Sequence, residues 1–195
     1  MLNLVLFGPP GAGKGTQADL LIKKFNLIHL STGDMLRSQI AAETTLGIEA
    51  KSYMDKGFLV PDSIVIGMIK SIIQENKNAN GYIFDGFPRT VDQAIALDEL
   101  LNGNGTPVSG MLSLEVEKQE LITRLLERGK VSCRPDDQDV SIIENRIQVY
   151  NDKTMPLKNY YENQNKCHKI HGMGSIEDIA GRLEETVSSL AVAAL

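Results

Sequence analysis

The stretch from Leu2 to Thr16, LNLVLFGPPGAGKGT, decides how the rest of the chain is read. Leu4 to Phe7 is an apolar run of strand length that stops at Gly8-Pro9-Pro10-Gly11. Gly13, Lys14, Gly15 and Thr16 follow, and Gln17 to Ile22 reads as a helix. Strand, glycine-rich loop and helix in that order form a phosphate cradle. Gly11 and Gly13 let the backbone approach an anion closely, while loop N–H groups and the positive end of the helix dipole point at it. Lys14 can reach the β- and γ-phosphates, and the Thr16 hydroxyl can face phosphate or the hydration shell of Mg²⁺. The spacing Gly8-x-x-x-x-Gly13-Lys14 fits the P-loop pattern with one departure: Gly15 stands where that pattern has Ser or Thr, and the Thr comes one residue later. The plainer alternative is a glycine-rich turn with a surface lysine; it leaves the agreement of strand, glycines, lysine and helix unexplained.

Working outward, 195 residues suit one domain with small inserts. A formal charge of -5 argues against a general nucleic-acid binder, and the absence of Trp argues against base-stacking platforms. The chain enters its first strand without a basic leader or cleavage site, and no apolar run reaches bilayer length. Cys133 and Cys167 fit no metal spacing, and a single cysteine between Arg128 and Arg134 cannot make a zinc site. A soluble, cytoplasmic protein is expected, acting without nucleic acid or membrane.

Short apolar runs alternate with helical periodicity along the chain. Strands are expected at Leu27 to Leu30, Tyr82 to Phe84, Val108 to Glu115 and around Ile170, besides the first. Helices are expected from Met35, over Gly47 to Met54, through Val65, Met68, Ile69 and Ile72, over Thr90 to Leu101, and over Glu117 to Arg128. Gly129 to Asp137 breaks the periodicity and reads as an exposed loop. A longer helix runs on to about Asn151 and resumes after Pro156. Ser175-x-x-Asp178 is a capping box opening a last helix, with Ile176, Ile179, Ala180 and Leu183 on one face. The alternation implies an α/β fold with a parallel sheet covered on both sides.

A second signal is Tyr82-Ile83-Phe84-Asp85-Gly86-Phe87-Pro88-Arg89. In a P-loop fold an Asp ending an apolar strand faces Mg²⁺, and Asp85 would act through one of the waters that Mg²⁺ keeps. Only seven arginines occur, at 37, 89, 124, 128, 134, 146 and 182. Arginine suits planar, bidentate contact with phosphate, so each one invites a functional question.

With these residues in view the chain resembles the adenylate kinases of the nucleoside monophosphate kinase family, in their short-lid form. Gly8 to Thr16 carry the resemblance, with Ser31-Thr32-Gly33-Asp34-Met35-Leu36-Arg37, Asp85-Gly86-Phe87-Pro88-Arg89-Thr90, Arg124-x-x-x-Arg128 and Arg134-x-Asp136-Asp137. The Gly15-Thr16 departure becomes a match, since the family has Gly-Lys-Gly-Thr there. The resemblance implies a five-stranded parallel sheet flanked by helices. Its core would be 1–30, 61–127 and 138–195, with an AMP-binding insert at 31–60 and a short lid at 128–137. It implies reversible, Mg²⁺-dependent transfer, ATP + AMP = 2 ADP, in adenine nucleotide homeostasis, by a monomer.

The same resemblance implies roles. Gly11, Ala12, Gly13, Lys14, Gly15 and Thr16 would hold ATP phosphates, clamped by Arg124 and Arg128, and the backbone near Gly174 would hold the adenine of ATP. Thr32, Arg37, the backbone of Phe58, Leu59 and Val60, the turn Gly86, Phe87, Pro88 and Arg89, and Gln93 would hold AMP. Arg134 and Arg146 would reach the phosphates in transfer. Asp85 and Asp34 would meet Mg²⁺ through water. The loop from Gly129 to Asp137 would close over bound nucleotides and shield Cys133; lid closure in adenylate kinases is a standing example of such motion. Arg182 is left without a role.

Several positions keep a plainer reading. Arg124 and Arg128, at i and i+4, can be solvated charges beside Glu127. Thr90-x-x-Gln93 is itself a capping box, so the Gln93 amide can cap its helix instead of reading adenine. Asp136-Asp137 can simply begin the next helix, where carboxylates suit the dipole. His29, His168 and His171 show no pairing with Cys or Asp at nucleophile or metal spacing and read as structural or surface residues. A UMP/CMP kinase would share the fold, but Thr32 and Gln93 both favour AMP. A GTP-dependent switch would need an Asn-Lys-x-Asp motif, and Asn76-Lys77-Asn78-Ala79 and Asn165-Lys166-Cys167-His168 both lack the Asp.

Overall fold

Strand β1, Leu2–Phe7, is buried along its whole length in the computed structural model, which describes residues 1–76, 78–132 and 134–193. Its side chains alternate between two cores: Val5 and Phe7 face one, Leu4 and Leu6 the other. That is why the strand reads as a continuous apolar run, as strands of parallel sheets covered on both faces do. The other strands are β2 (Ile28–Ser31), β3 (Gly81–Asp85), β4 (Gly110–Glu115) and β5 (Cys167–His171). All neighbouring pairs are parallel and the order is β2-β3-β1-β4-β5, as expected.

The helices are α1 (Lys14–Phe25), α2 (Thr32–Ala41), α3 (Thr45–Met54), α4 (Asp62–Glu75), α5 (Val91–Gly103), α6 (Lys118–Ser132), α7 (Val140–Val149), α8 (Pro156–Glu162) and α9 (Ile176–Ala193). Leu21 of α1 and Ile179, Leu183 and Val187 of α9 pack on the Leu4–Leu6 side. Val65, Ile69 and Ile73 of α4, Leu97 and Leu101 of α5 and Leu157 and Tyr161 of α8 pack on the Val5–Phe7 side. A smaller cluster of Leu125, Ile143 and Ile147 joins α6 to α7. The loops that leave the carboxyl ends of β1 and β3 therefore open together at the centre of the sheet, where parallel α/β folds bind ligands.

Three expectations about elements are corrected. Helix α6 does not stop at Arg128 but continues to Ser132, and Pro135–Asp137 forms a 3₁₀ turn in place of the exposed loop. Gly129 is buried where the turn packs on α6, and a Cβ there would come within 2.5 Å of the Asp137 carbonyl oxygen, so the close approach needs glycine. The helix expected to run to Asn151 ends at Val149 and passes into a π-helical turn, Tyr150–Thr154. Ile179, Ala180 and Leu183 of α9 are buried as expected, but Ile176 is 51% exposed. Cys133, expected to sit on a closing loop, lies outside the described residues. No described helix is long and apolar enough to cross a membrane.

Candidate active site

One cleft of about 1220 Å³ collects the loop after β1, the turn after β3, the start of α2, residues 57–60 and the arginines of α6 and α7. Its floor is the phosphate cradle. Gly13, with φ of +87°, turns the chain into α1 in a conformation that side-chain-bearing residues rarely adopt. The first N–H groups of α1 have no partner within the helix and remain available to an anion. The Lys14 ammonium folds back and donates to the carbonyls of Gly8 (2.7 Å) and Pro9 (3.0 Å). Burial lowers its pKa to about 8; Asp85 opposes the shift, while Arg89, Arg128 and Arg146 add to it. An incoming phosphate supplies the negative charge that this cluster of cations lacks.

Asp85 ends β3 beside the cradle; a Cβ on Gly15 would stand 3.7 Å from Asp85 Oδ2. Burial pushes its carboxyl up, but His29 and Lys14 outweigh burial and hold it below the usual carboxylate range. The pairing of His29 with Asp85, Nε2 to Oδ2 at 3.6 Å, corrects the reading of His29 as unpaired. Sheet register causes it: Ser31 of β2 lies opposite Asp85 and His29 opposite Ile83, so His29 projects from the same face two residues away. The carboxylate raises the imidazole pKa and partial burial opposes it. Neither His168 nor His171 lines the cleft.

The opposite wall joins Thr32, Gly86, Pro88, Arg89 and Gln93, with Arg37, Phe58, Leu59 and Val60. The buried Thr32 hydroxyl donates to the Gly86 carbonyl at 2.8 Å. Its proton is thus engaged, and a lone pair is what it presents to a ligand. Gly86 has φ of +75°, and a Cβ there would meet Arg89 Nη2 at 2.9 Å and Thr32 Oγ1 at 3.0 Å, so glycine is needed where the turn passes both groups. Arg89 Nε donates to the Gly86 carbonyl at 2.8 Å. Phe87 is the exception among the expected contacts: it packs into the core near Phe84 and does not line the cleft. Gln93 does line it; its backbone N–H donates to Thr90 Oγ1 at 3.2 Å, the N-cap bond of α5, while its Oε1 accepts from the Arg89 N–H at 2.7 Å, one residue before the cap. The Thr90 half of the capping box therefore forms, and the Gln93 amide lines the cleft without closing the other half.

The arginines are held by carboxylates and carbonyls. Arg124 pairs with Glu120 (2.7 Å) and reaches the Gly172 carbonyl (3.3 Å). Arg128 makes two bonds to Asp137 (2.6 and 2.9 Å), and Arg146 pairs with Asp137 (2.6 Å) and Asp136 (2.9 Å). Asp137 is fully buried and lies in the 3₁₀ turn, while Asp139 caps α7, which corrects the reading of Asp136-Asp137 as the start of that helix. Burial raises its pKa, but Arg128 and Arg146 outweigh that and hold it ionised. Asp34 is shared by Arg37 (2.5 Å), Arg134 (3.3 Å) and the Ser31 hydroxyl (2.7 Å). Among the described residues no three His, Cys, Asp or Glu side chains gather to hold a metal. The Asp85 carboxylate suits a Mg²⁺ that keeps its waters and is held chiefly by nucleotide phosphates, whereas that of Asp34 is committed to arginine.

The third corner is the loop His171 to Ser175, of which Gly174 and Ser175 line the cleft. The capping box forms as expected, Ser175 and Asp178 bonding reciprocally at 2.8 to 3.1 Å. Arg182, left without a role by the sequence, donates to the carbonyls of His171 and Met173, both at 2.8 Å, and so shapes this loop. Gln17, buried in α1, donates to the Ile176 carbonyl at 3.0 Å and ties the first residue of α9, next to this loop, to the helix that follows the phosphate cradle. The Gln17 contact joins segments 159 residues apart and leaves no local signal, and the Arg182 contacts reach back 9 and 11 residues, beyond the span of a capping pattern.

A P-loop at the centre of a parallel sheet, facing a second polar pocket across a band of arginines, defines a P-loop phosphotransferase of the nucleoside monophosphate kinase type. The family profile described as Adenylate kinase matches residues 6–166. Over 190 residues the chain is 52% identical to an adenylate kinase of Flavobacterium psychrophilum and 53% identical to one of Parabacteroides distasonis, covering 97% of this chain and all of each relative. An adenylate kinase of Leptospira biflexa is 46% identical over 187 residues, covering 96% of this chain and all of that one. The chain belongs to the adenylate kinase family.

Proposed function

We propose that the protein catalyses reversible phosphoryl transfer, ATP + AMP = 2 ADP, and so balances the adenine nucleotide pool. The observation that carries this reading is the placement of Lys14 and six arginines, from both walls, around a single cleft of about 1220 Å³. Bringing two polyanions together is the main obstacle to this reaction, and cations fixed in place by Asp137, Asp34 and Glu120 meet it without reorganising. Gly11 to Thr16 hold the ATP phosphates, with Arg124 and Arg128 above them and the backbone near Gly174 under the donor adenine. Thr32, Arg37, residues 58–60, Gly86, Arg89 and Gln93 hold AMP. Arg89, Arg134 and Arg146 meet the phosphates between the two sites. The attacking AMP phosphate is already ionised at neutral pH, so no side chain has to remove a proton from it. Mg²⁺ bound to ATP would neutralise charge on the β- and γ-phosphates, with Asp85 holding one of its waters.

Segments 31–60 and 128–137 are the parts expected to move over the substrates, on a core of 1–30, 61–127 and 138–195. The protein is read as a soluble cytoplasmic monomer acting on ATP, AMP and ADP, with no nucleic-acid partner; its formal charge of -5 supports the last of these. The test is an acceptor panel: purified protein with Mg-ATP and AMP, CMP, UMP or GMP, with each nucleoside diphosphate measured. AMP should be the preferred acceptor by k_cat/K_M, and preference for CMP or UMP would replace this reading with that of a pyrimidine nucleotide kinase.

A further inference from the structure

Asp62 opens α4 outside the cleft, yet it holds a residue inside it. Its Oδ1 accepts from Gln93 Nε2 at 2.7 Å and its Oδ2 accepts from the Thr90 hydroxyl at 2.8 Å. On the other side of the same amide, the Arg89 backbone N–H donates to Gln93 Oε1 at 2.7 Å. The chemistry of the two partners fixes which end of the amide is which. A carboxylate can only accept and a backbone N–H can only donate, so turning the amide over would set acceptor against acceptor and donor against donor. Gln93 is 2% exposed, so water cannot relieve either clash.

The locked amide keeps one Nε2 hydrogen and one Oε1 lone pair for a ligand. Adenine offers their complement, an amino donor at N6 beside an acceptor at N1. Hypoxanthine offers the reverse, an acceptor at O6 beside a donor at N1, and would be matched only by the turned amide. We infer that Asp62 is a positioning residue for acceptor specificity: by holding the Gln93 amide in one orientation it makes the pocket prefer AMP over inosine monophosphate. The inference rests on the acceptor reading above and deepens it. An acidic residue in the first turn of a helix is otherwise explained by the dipole alone, but that role gives no reason for both carboxylate oxygens to be spent on Thr90 and Gln93.

Asp62→Asn is the informative variant. It keeps the size of the side chain, and its own amide can pair with Gln93 in either orientation, so it removes the lock without emptying the site. The ratio of k_cat/K_M for AMP to that for inosine monophosphate should fall about tenfold while the melting temperature changes little; the remaining Arg89 N–H keeps the preference from inverting. In a Gln93→Leu background, which has no amide to orient, Asp62→Asn should leave the ratio where Gln93→Leu alone puts it. A ratio unchanged by Asp62→Asn in the otherwise wild-type protein overturns the inference, as does an equal fall in the Gln93→Leu background. A wild-type protein that phosphorylates neither nucleotide overturns the acceptor reading itself, a result distinct from both.

Discussion

Arg128 meets Asp137 through two hydrogen bonds, Nε to Oδ2 at 2.6 Å and Nη2 to Oδ1 at 2.9 Å, and the same fully buried carboxylate holds Arg146. One carboxylate thus sets the position of two cations that line the cleft from different helices. Removing it leaves both guanidinium groups without their main partner. Asp137→Ala should lower stability by about 3 kcal/mol, the usual consequence of breaking a buried ion pair. It should also cut k_cat more than it raises either K_M, because the misplaced charges matter most at the phosphates in transfer. Chemical denaturation and steady-state kinetics check the two parts separately; a stable variant with wild-type k_cat contradicts the clamp.

The same site predicts a pH dependence. The folded-state pKa of Asp137 is held below its unfolded value, so its contribution is fully present above about pH 4 and is lost as pH falls through the lower, folded value. The difference in melting temperature between wild type and Asp137→Asn should therefore be constant from pH 7 down to about pH 5 and shrink on further acidification. A difference that grows below pH 4 contradicts the assignment.

Lys14 predicts the opposite kind of linkage. With its pKa lowered to about 8, the free protein loses this positive charge as pH rises through that value. The group opposes folding below about pH 8, and the opposition fades toward pH 10.5. Bound phosphates restore the ammonium, so nucleotide binding at pH 8.5 should take up a proton. The binding heat should then differ between buffers of different ionisation enthalpy, and Lys14→Met should abolish the difference while cutting turnover severely. Equal heats for the wild-type protein in both buffers contradict the charged lysine in the cradle.

Gln17 should act on one substrate only. Its amide nitrogen supports the start of α9, next to the loop proposed to carry the donor adenine, while its Oε1 is buried with no hydrogen-bond partner among the described residues. Gln17→Leu removes a contact and an unpaired acceptor together, so stability should change by less than about 1 kcal/mol. The K_M for ATP should rise roughly tenfold, equivalent to one hydrogen bond of about 1.4 kcal/mol, and that for AMP should stay unchanged. Equal rises in both would show that Gln17 supports the fold and not the donor loop.

What the sequence reveals follows from how local each signal is. β1, the glycine loop and α1 form one contiguous unit whose periodicity and turn chemistry sit in neighbouring residues, so cradle and sheet class are legible at once. The capping box at Ser175 and the N-cap at Thr90 are legible for the same reason. The pairing of His29 with Asp85 depends on the register between β2 and β3, which no local pattern specifies. Asp137 looks like an ordinary helix-start carboxylate until the extended α6 and the start of α7 close around it. Ile176 keeps helical spacing with Ile179, yet it faces the cleft beside Gly174 and Ser175 and stays exposed. Periodicity marks an apolar residue as able to be buried; a binding site can claim it instead.

The central claim is that the γ-phosphoryl group of ATP moves directly to AMP in this cleft. The most direct measurement supplies ATP labelled in its γ-phosphate together with AMP labelled in its adenine ring, and follows both labels under single-turnover conditions. The predicted result is that ADP carrying the labelled adenine also carries the labelled phosphate at its β-position, with one unlabelled-ring ADP formed for each. Release of the label as inorganic phosphate, or no labelled phosphate on the AMP-derived product, would contradict it.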